Sequence, residues 1–193
     1  MFKTTGSIVE NQKQIAAIDP RYTLEFYVQG YLKTWTMQDI ITFQLNEEKF
    51  GKDVAVDMYA EMWSRRYVGE FYDCKEFVGL GKDDPVSIEQ FMAMVVAYFN
   101  AFGNPCELIQ SGPDVWEAKC YDCPYTTEIA WKELKREDAD KFNEAVQVAC
   151  NTAIFEKWLA LAKLENDWLF SFANQLCRYG GSCGFVFRKK IRD

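Results

Sequence analysis

The chain contains no histidine. Imidazole is the side chain that ordinarily titrates near neutrality. Without it, any nucleophile, metal ligand or proton shuttle must come from Cys, Asp, Glu, Tyr or Lys. Long apolar runs are missing too: no stretch approaches the ~20 residues of a membrane span. Residues 1–20 lack the charged-then-apolar pattern of a signal peptide. An excess of positive charge is also absent, with 22 Lys and Arg against 29 Asp and Glu and a net charge of −7. The basic residues are scattered, which argues against a nucleic-acid partner. Arg188, Lys189, Lys190 and Arg192 form an exception, read here as keeping a last strand soluble. No internal repeat or low-complexity segment occurs.

Rings and sulfur are what the chain has in quantity. Its 193 residues are 49% apolar and 16% aromatic, ample for one domain with a real core. So many rings point either to a ring-lined ligand pocket or to an aromatic-rich core. Seven cysteines is an odd number, and their spacing is irregular. They read as reduced thiols of a cytoplasmic protein.

Residues 1–19 read as a polar arm, and 20–193 as a single α+β domain. The part at 20–103 is helical, and the sheet and most cysteines lie in 104–193. Asp19-Pro20 suits a helix start, with Leu24, Tyr27, Val28, Tyr31 and Trp35 at helical spacing. Thr36 is expected to cap a second helix over 37–50, closed by Gly51. A third spans 53 to about 67, with Val56, Tyr59, Ala60 and Trp63. After a loop at 80–85, Ser87 and Gln90 form a capping box for a helix over 88–102.

Two strands, 106–110 and 115–121, read as a hairpin. A short helix is expected over 124–134 and a long one from 137 to about 163. Phe142, Val146, Cys150, Ile154 and Trp158 lie on one stripe of the long helix, so Cys150 looks inward. The last strands are expected over 168–177 and 183–188, with Arg178 opposite Cys183. That register puts Trp168, Phe170 and Phe172 on one face with Cys183, Phe185 and Phe187, and turns Cys177 away. The expected architecture is a helical N-terminal half packed on an antiparallel sheet, with a long helix in the C-terminal half.

The chemistry centres on Lys119-Cys120-Tyr121-Asp122-Cys123-Pro124-Tyr125. Cys123 precedes a proline suited to the first helical position, where helix N–H groups favour thiolate. It is the first nucleophile candidate, with Cys150 and Cys183 expected in the same pocket. Glu117 and Asp122 are candidate bases, and Tyr125 is a candidate donor to a developing oxyanion. Trp116, Trp168, Phe170 and Phe172 are the expected pocket wall. Alternatively, Cys120, Cys123, Cys150 and Cys183 would be thiolate ligands of zinc or iron. Only one C-x-x-C half-site is present, and each thiol read singly is also a small buried apolar group.

Cys123-Pro124-Tyr125, Cys150 and the closing run from Gly180 to Phe187 resemble the L-2-amino-thiazoline-4-carboxylate hydrolase-like family. The likeness extends more distantly to 4-vinyl-reductase-type ligand-binding domains. Trp35, the run from Glu47 to Ala55, and Trp63 add to it, and coverage runs from about Tyr31 to Lys190. The resemblance implies an α+β domain with an antiparallel sheet, an enclosed small-molecule site, and hydrolytic opening of a cyclic C=N compound. The first reading is therefore a hydrolase-like enzyme working by addition–elimination at a C=N or C=O carbon. The second is a non-catalytic binding domain for an aromatic or apolar small molecule, with a structural metal. The third is an interaction domain that pairs as a homodimer through its helical half.

Overall fold

The computed structural model describes residues 10, 13–14, 17, 24–101, 104–123, 132, 134–143, 147–173 and 181–191. From residue 24 on, the described residues form helices α1 (Leu24–Phe50), α2 (Lys52–Arg66), α3 (Val68–Phe77) and α4 (Ile88–Ala101). Strands β1 (Cys106–Gly112) and β2 (Val115–Cys120) follow, then helices α5 (Arg136–Phe142) and α6 (Val148–Leu161). Strands β3 (Trp168–Phe172) and β4 (Cys183–Lys189) close the chain. The fold is α+β.

Thr36 caps no helix. It lies buried inside α1, which runs unbroken through the expected boundary. No glycine or proline stands there, and a Thr lowers helix propensity only slightly, so the helix runs through it. Gly51 does end α1, at φ 84°, a backbone region open to glycine. The capping box is present, with Ser87 N–H donating to Gln90 Oε1 at 2.9 Å and Gln90 N–H donating to Ser87 Oγ at 3.3 Å. Helix α3 had no sequence signal beyond Phe71 and Cys74 turned inward. The short helix expected over 124–134 falls almost wholly outside the described residues. The long one is seen as α5 and α6, and 144–146 between them lies outside too.

The four strands form one antiparallel sheet in the order β1-β2-β4-β3. Phe170 stands opposite Phe187 and Phe172 opposite Phe185. This register is displaced from the expected one by an even number of residues, so the aromatic face is unchanged. Cys177 lies outside the described residues. Helix α4 packs on β1 and β2, and α6 packs on β3 and on α2, which in turn carries α1.

Rings interlock between these layers. Phe99 and Phe185 lie 4.3 Å apart by centroid, Phe155 and Phe170 5.0 Å, and Phe91 and Phe187 5.3 Å. Trp158 is fully buried, and its Nε1–H donates to Tyr67 O at 2.8 Å, tying α6 to the α2–α3 junction.

Candidate functional site

The sheet lines up thiols that the sequence leaves far apart. Cys106 stands opposite Cys120 in the β1–β2 ladder, and Cys120 stands opposite Cys183 in the β2–β4 ladder. Opposed residues share a face, so three thiols form a row across three strands, on the face that carries Ala118 and Phe185. Cys123 follows just past β2 and, with Cys106 and Cys183, acts electrostatically on Cys120. The Cys120 thiol is pushed far up by its hydrogen bond with Cys106 and by burial, and stays protonated. Cys106 is therefore a member that the sequence reading left out. The signal was the hairpin register, which puts 106 opposite 120.

Cys150 is corrected. It is fully buried, but its electrostatic neighbours are Asp39 and Tyr59, not the sheet-end thiols. Helix α6 meets the sheet rings through Phe155. Cys150, more than a turn earlier, points toward α2. Burial first, then Asp39, push its thiol far up.

Glu117 is corrected as well. It alternates with Trp116 and Ala118, so it leaves the sheet on the face opposite the thiols. There it crosses Gly184: a Cβ at 184 would lie 2.5 Å from Glu117 Oε1. Asp122 does adjoin Cys123, and its Oδ1 accepts the Cys123 N–H at 2.7 Å. Tyr125 lies outside the described residues.

The expected pocket wall belongs to the core. Trp116 and Trp168 are buried, and Phe170 and Phe172 pack on each other and on Phe185.

Among the described residues no group of three or more Cys, Asp or Glu is placed to hold a metal ion. The flat row gives the physical reason. Adjacent strands are about 4.8 Å apart, so the outer two cysteines are separated by roughly 10 Å. Thiolates sharing one zinc must each reach within about 2.3 Å of it.

A different site lies in the helical half. A cleft of about 300 Å³ is lined by Tyr31, Trp35, Asp39, Tyr59, Met62 and Arg66, with Thr34, Gln38 and Thr42 at its polar margin. Asp39 is 6% exposed, and among the described residues its Oδ2 has no hydrogen-bond partner. Burial raises its carboxyl to about 6 against the opposing pull of Arg66. The Arg66 guanidinium lies over the Trp35 ring, 3.6 Å from its centroid, a cation–π contact. Tyr31 tilts against the same Trp35 at 5.7 Å. Beneath them the Tyr59 hydroxyl donates to Asp39 O.

Helical spacing puts Asp39 on the inward stripe with Thr36, Ile40 and Phe43, all four buried. An acidic residue on such a stripe is a signal the sequence offers. What it cannot show is that α2 leaves space there.

No protein-family model and no curated protein matches the chain. A solved structure does resemble it in fold: trafficking protein particle complex subunit 3 from Naegleria fowleri, covalently bound to palmitic acid. The TM-score is 0.56 at 9% identity, over 84% of this chain and 98% of that one. At that identity the likeness is one of fold.

Proposed function

We propose that the chain is a small-molecule-binding module whose site is the α1–α2 cleft, taking a small polar organic molecule that carries an N–H-bearing group. The observation behind this reading is Asp39, a buried carboxylate with an oxygen that no donor among the described residues reaches, bordering an open cavity. A buried acceptor without a donor costs about 1–3 kcal/mol. A ligand N–H placed on Oδ2 removes that cost on binding. Arg66, held on the Trp35 ring, presents N–H donors to an acceptor on the same ligand, and the rings of Tyr31 and Trp35 cover its body. The cavity sits at the lower end of the usual range for small-molecule sites, about 300–1,000 Å³. The trafficking subunit of similar fold carries a covalently bound palmitic acid, which supports small-molecule binding as a task within reach of this architecture.

Thiol-based hydrolysis of a cyclic C=N compound is the less supported activity. Burial and thiol neighbours keep Cys120 and Cys150 protonated, and a protonated thiol is not the nucleophile. Glu117 faces away from the row, leaving Asp122 as the candidate base beside Cys123.

The test is a thermal-shift and calorimetric screen of small amines, amidines and amino acids against the wild type, Asp39→Asn and Cys123→Ser. Binding that survives in Cys123→Ser and is lost in Asp39→Asn is the expected result. A ligand that binds Asp39→Asn as well as it binds the wild type removes the cleft from the site, and turnover lost in Cys123→Ser restores the thiol reading.

A second reading, assembly through the helical half, is favoured by exposed apolar side chains. Val54, Met58 and Met62 recur every fourth residue on α2, and Ile41 and Leu45 do the same on α1. The trafficking subunit is by its title part of a complex. Here the partner taken is a second copy of the chain.

A further inference from the structure

The thiol row has a geometry suited to pairwise chemistry, and its two links are not equivalent. Tyr121 N–H donates to Pro105 O at 3.2 Å, which makes 105 and 121 a hydrogen-bonded pair of the β1–β2 ladder. Hydrogen-bonded and non-hydrogen-bonded pairs alternate along an antiparallel ladder. Cys106 and Cys120, the next pair, are therefore non-hydrogen-bonded, with Cα atoms about 4.5 Å apart and side chains drawn together. In the other ladder, Lys189 N–H donates to Asp114 O at 2.9 Å. Counting along from that pair makes Cys120 and Cys183 a hydrogen-bonded pair, with Cα atoms about 5.5 Å apart and side chains farther from each other.

A disulfide needs Cβ atoms about 3.5–4.5 Å apart, which the closer pair meets with less movement. The Cys106 thiol, which donates to Glu107 O at 3.8 Å, is also the largest influence on the Cys120 thiol. Cys106 is half-buried on the edge strand, within reach of a small oxidant, whereas Cys120 is 1% exposed.

We infer that Cys106 and Cys120 form a reversible cross-strand disulfide, made by exchange with a small-molecule disulfide of the glutathione type. The Cys106 thiolate attacks one sulfur of the oxidant, forming a mixed disulfide and expelling one small thiolate. The mixed disulfide removes the Cys106 thiol that was the largest influence holding the Cys120 proton. Cys120 then gives its proton to the expelled thiolate, attacks the Cys106 sulfur and expels the second small thiolate, which takes the proton that Cys106 had released. Two protein thiols are oxidised to one disulfide, and one small disulfide is reduced to two thiols. The bond ties edge strand β1 to β2 at the row, and Cys183 remains a thiol beside it. This chemistry is independent of the α1–α2 cleft.

The experiment equilibrates the full reduced chain anaerobically with graded ratios of oxidised to reduced glutathione. Free thiols are then alkylated and peptides mapped by mass spectrometry. Two fewer alkylated thiols and a linked Cys106–Cys120 peptide are expected, reversed by excess reduced glutathione. Cys106→Ser should abolish the linked peptide and Cys183→Ser should keep it. Glutathione retained on Cys106, a link mapped to Cys120 and Cys183, or full alkylation at every ratio each overturns the inference. The mapping on the wild type decides the matter even if a variant fails to fold.

Discussion

At the scale of single residues, Asp39 carries the pH behaviour. Its carboxyl holds a proton to about 6 in the folded chain, against 3.8 for the ordinary side chain. Between those values the folded state binds more protons than the unfolded state, so stability rises as pH falls through the window. Above about 6 the burial penalty is fully present. It is on the order of 2–3 kcal/mol at most. Asp39→Asn removes the charge but keeps a buried polar group, so a net gain of ~1 kcal/mol at neutral pH is expected. Urea midpoints across a pH series check this: the two proteins should converge toward pH 4, and parallel curves would refute it. With no histidine in the chain, a transition near pH 6 has few other sources. Gly184 offers a second residue-level test. A Cβ there meets Glu117 Oε1 at 2.5 Å and Ala173 Cβ at 3.0 Å. Gly184→Ala should cost about 1–3 kcal/mol by overpacking, and adding Glu117→Ala should recover part of it. No recovery would mean that the Ala173 contact, not the carboxylate, sets the cost.

At the scale of elements, Trp158 joins α6 to the turn between α2 and α3. Trp158→Phe retains much of the ring packing with Phe71, Tyr98 and Phe155 but removes one donor from the Tyr67 carbonyl, which keeps the Phe71 N–H at 3.3 Å. The expected loss is about 0.5–1.5 kcal/mol for the hydrogen bond, rising to about 3–5 kcal/mol for Trp158→Ala. Equal denaturation midpoints for the wild type and Trp158→Phe would show that the bond contributes nothing. The capping box at α4 is a smaller device: Ser87→Ala should cost about 0.5–2 kcal/mol in the same measurement.

At the scale of the whole molecule, the exposed stripe on α2 bears on assembly. If α2 pairs two copies, light scattering gives a dimer mass for the wild type, and Met58→Glu, placed mid-stripe, lowers it to a monomer. A wild-type monomer at high concentration would end that reading. The cleft adjoins the same surface, since Met62 and Tyr31 are both exposed and line the cavity. Pairing through α2 would therefore alter ligand access.

Periodicity and turn chemistry in the sequence were enough to determine the α+β class, the Gly51 break, the capping box, the hairpin and the inward stripe of α6. Those features depend on neighbours within a few residues. Face alternation also survived a register error, because a displacement by an even number of residues preserves the side on which each ring lies. The fate of the thiols depended on contacts between distant elements. Cys150 and Cys183 both look inward, yet an inward direction does not say toward what. The packing of α6 on α2 sends Cys150 to Asp39, while the β2–β4 pairing sends Cys183 to Cys120. The rings of Trp168, Phe170 and Phe172 were legible as one face, but whether they wall a cavity or fill it is set by what α6 and β4 bring against them. The cleft, likewise, exists only because α1 and α2 stand apart at Asp39, and no local pattern encodes an empty volume.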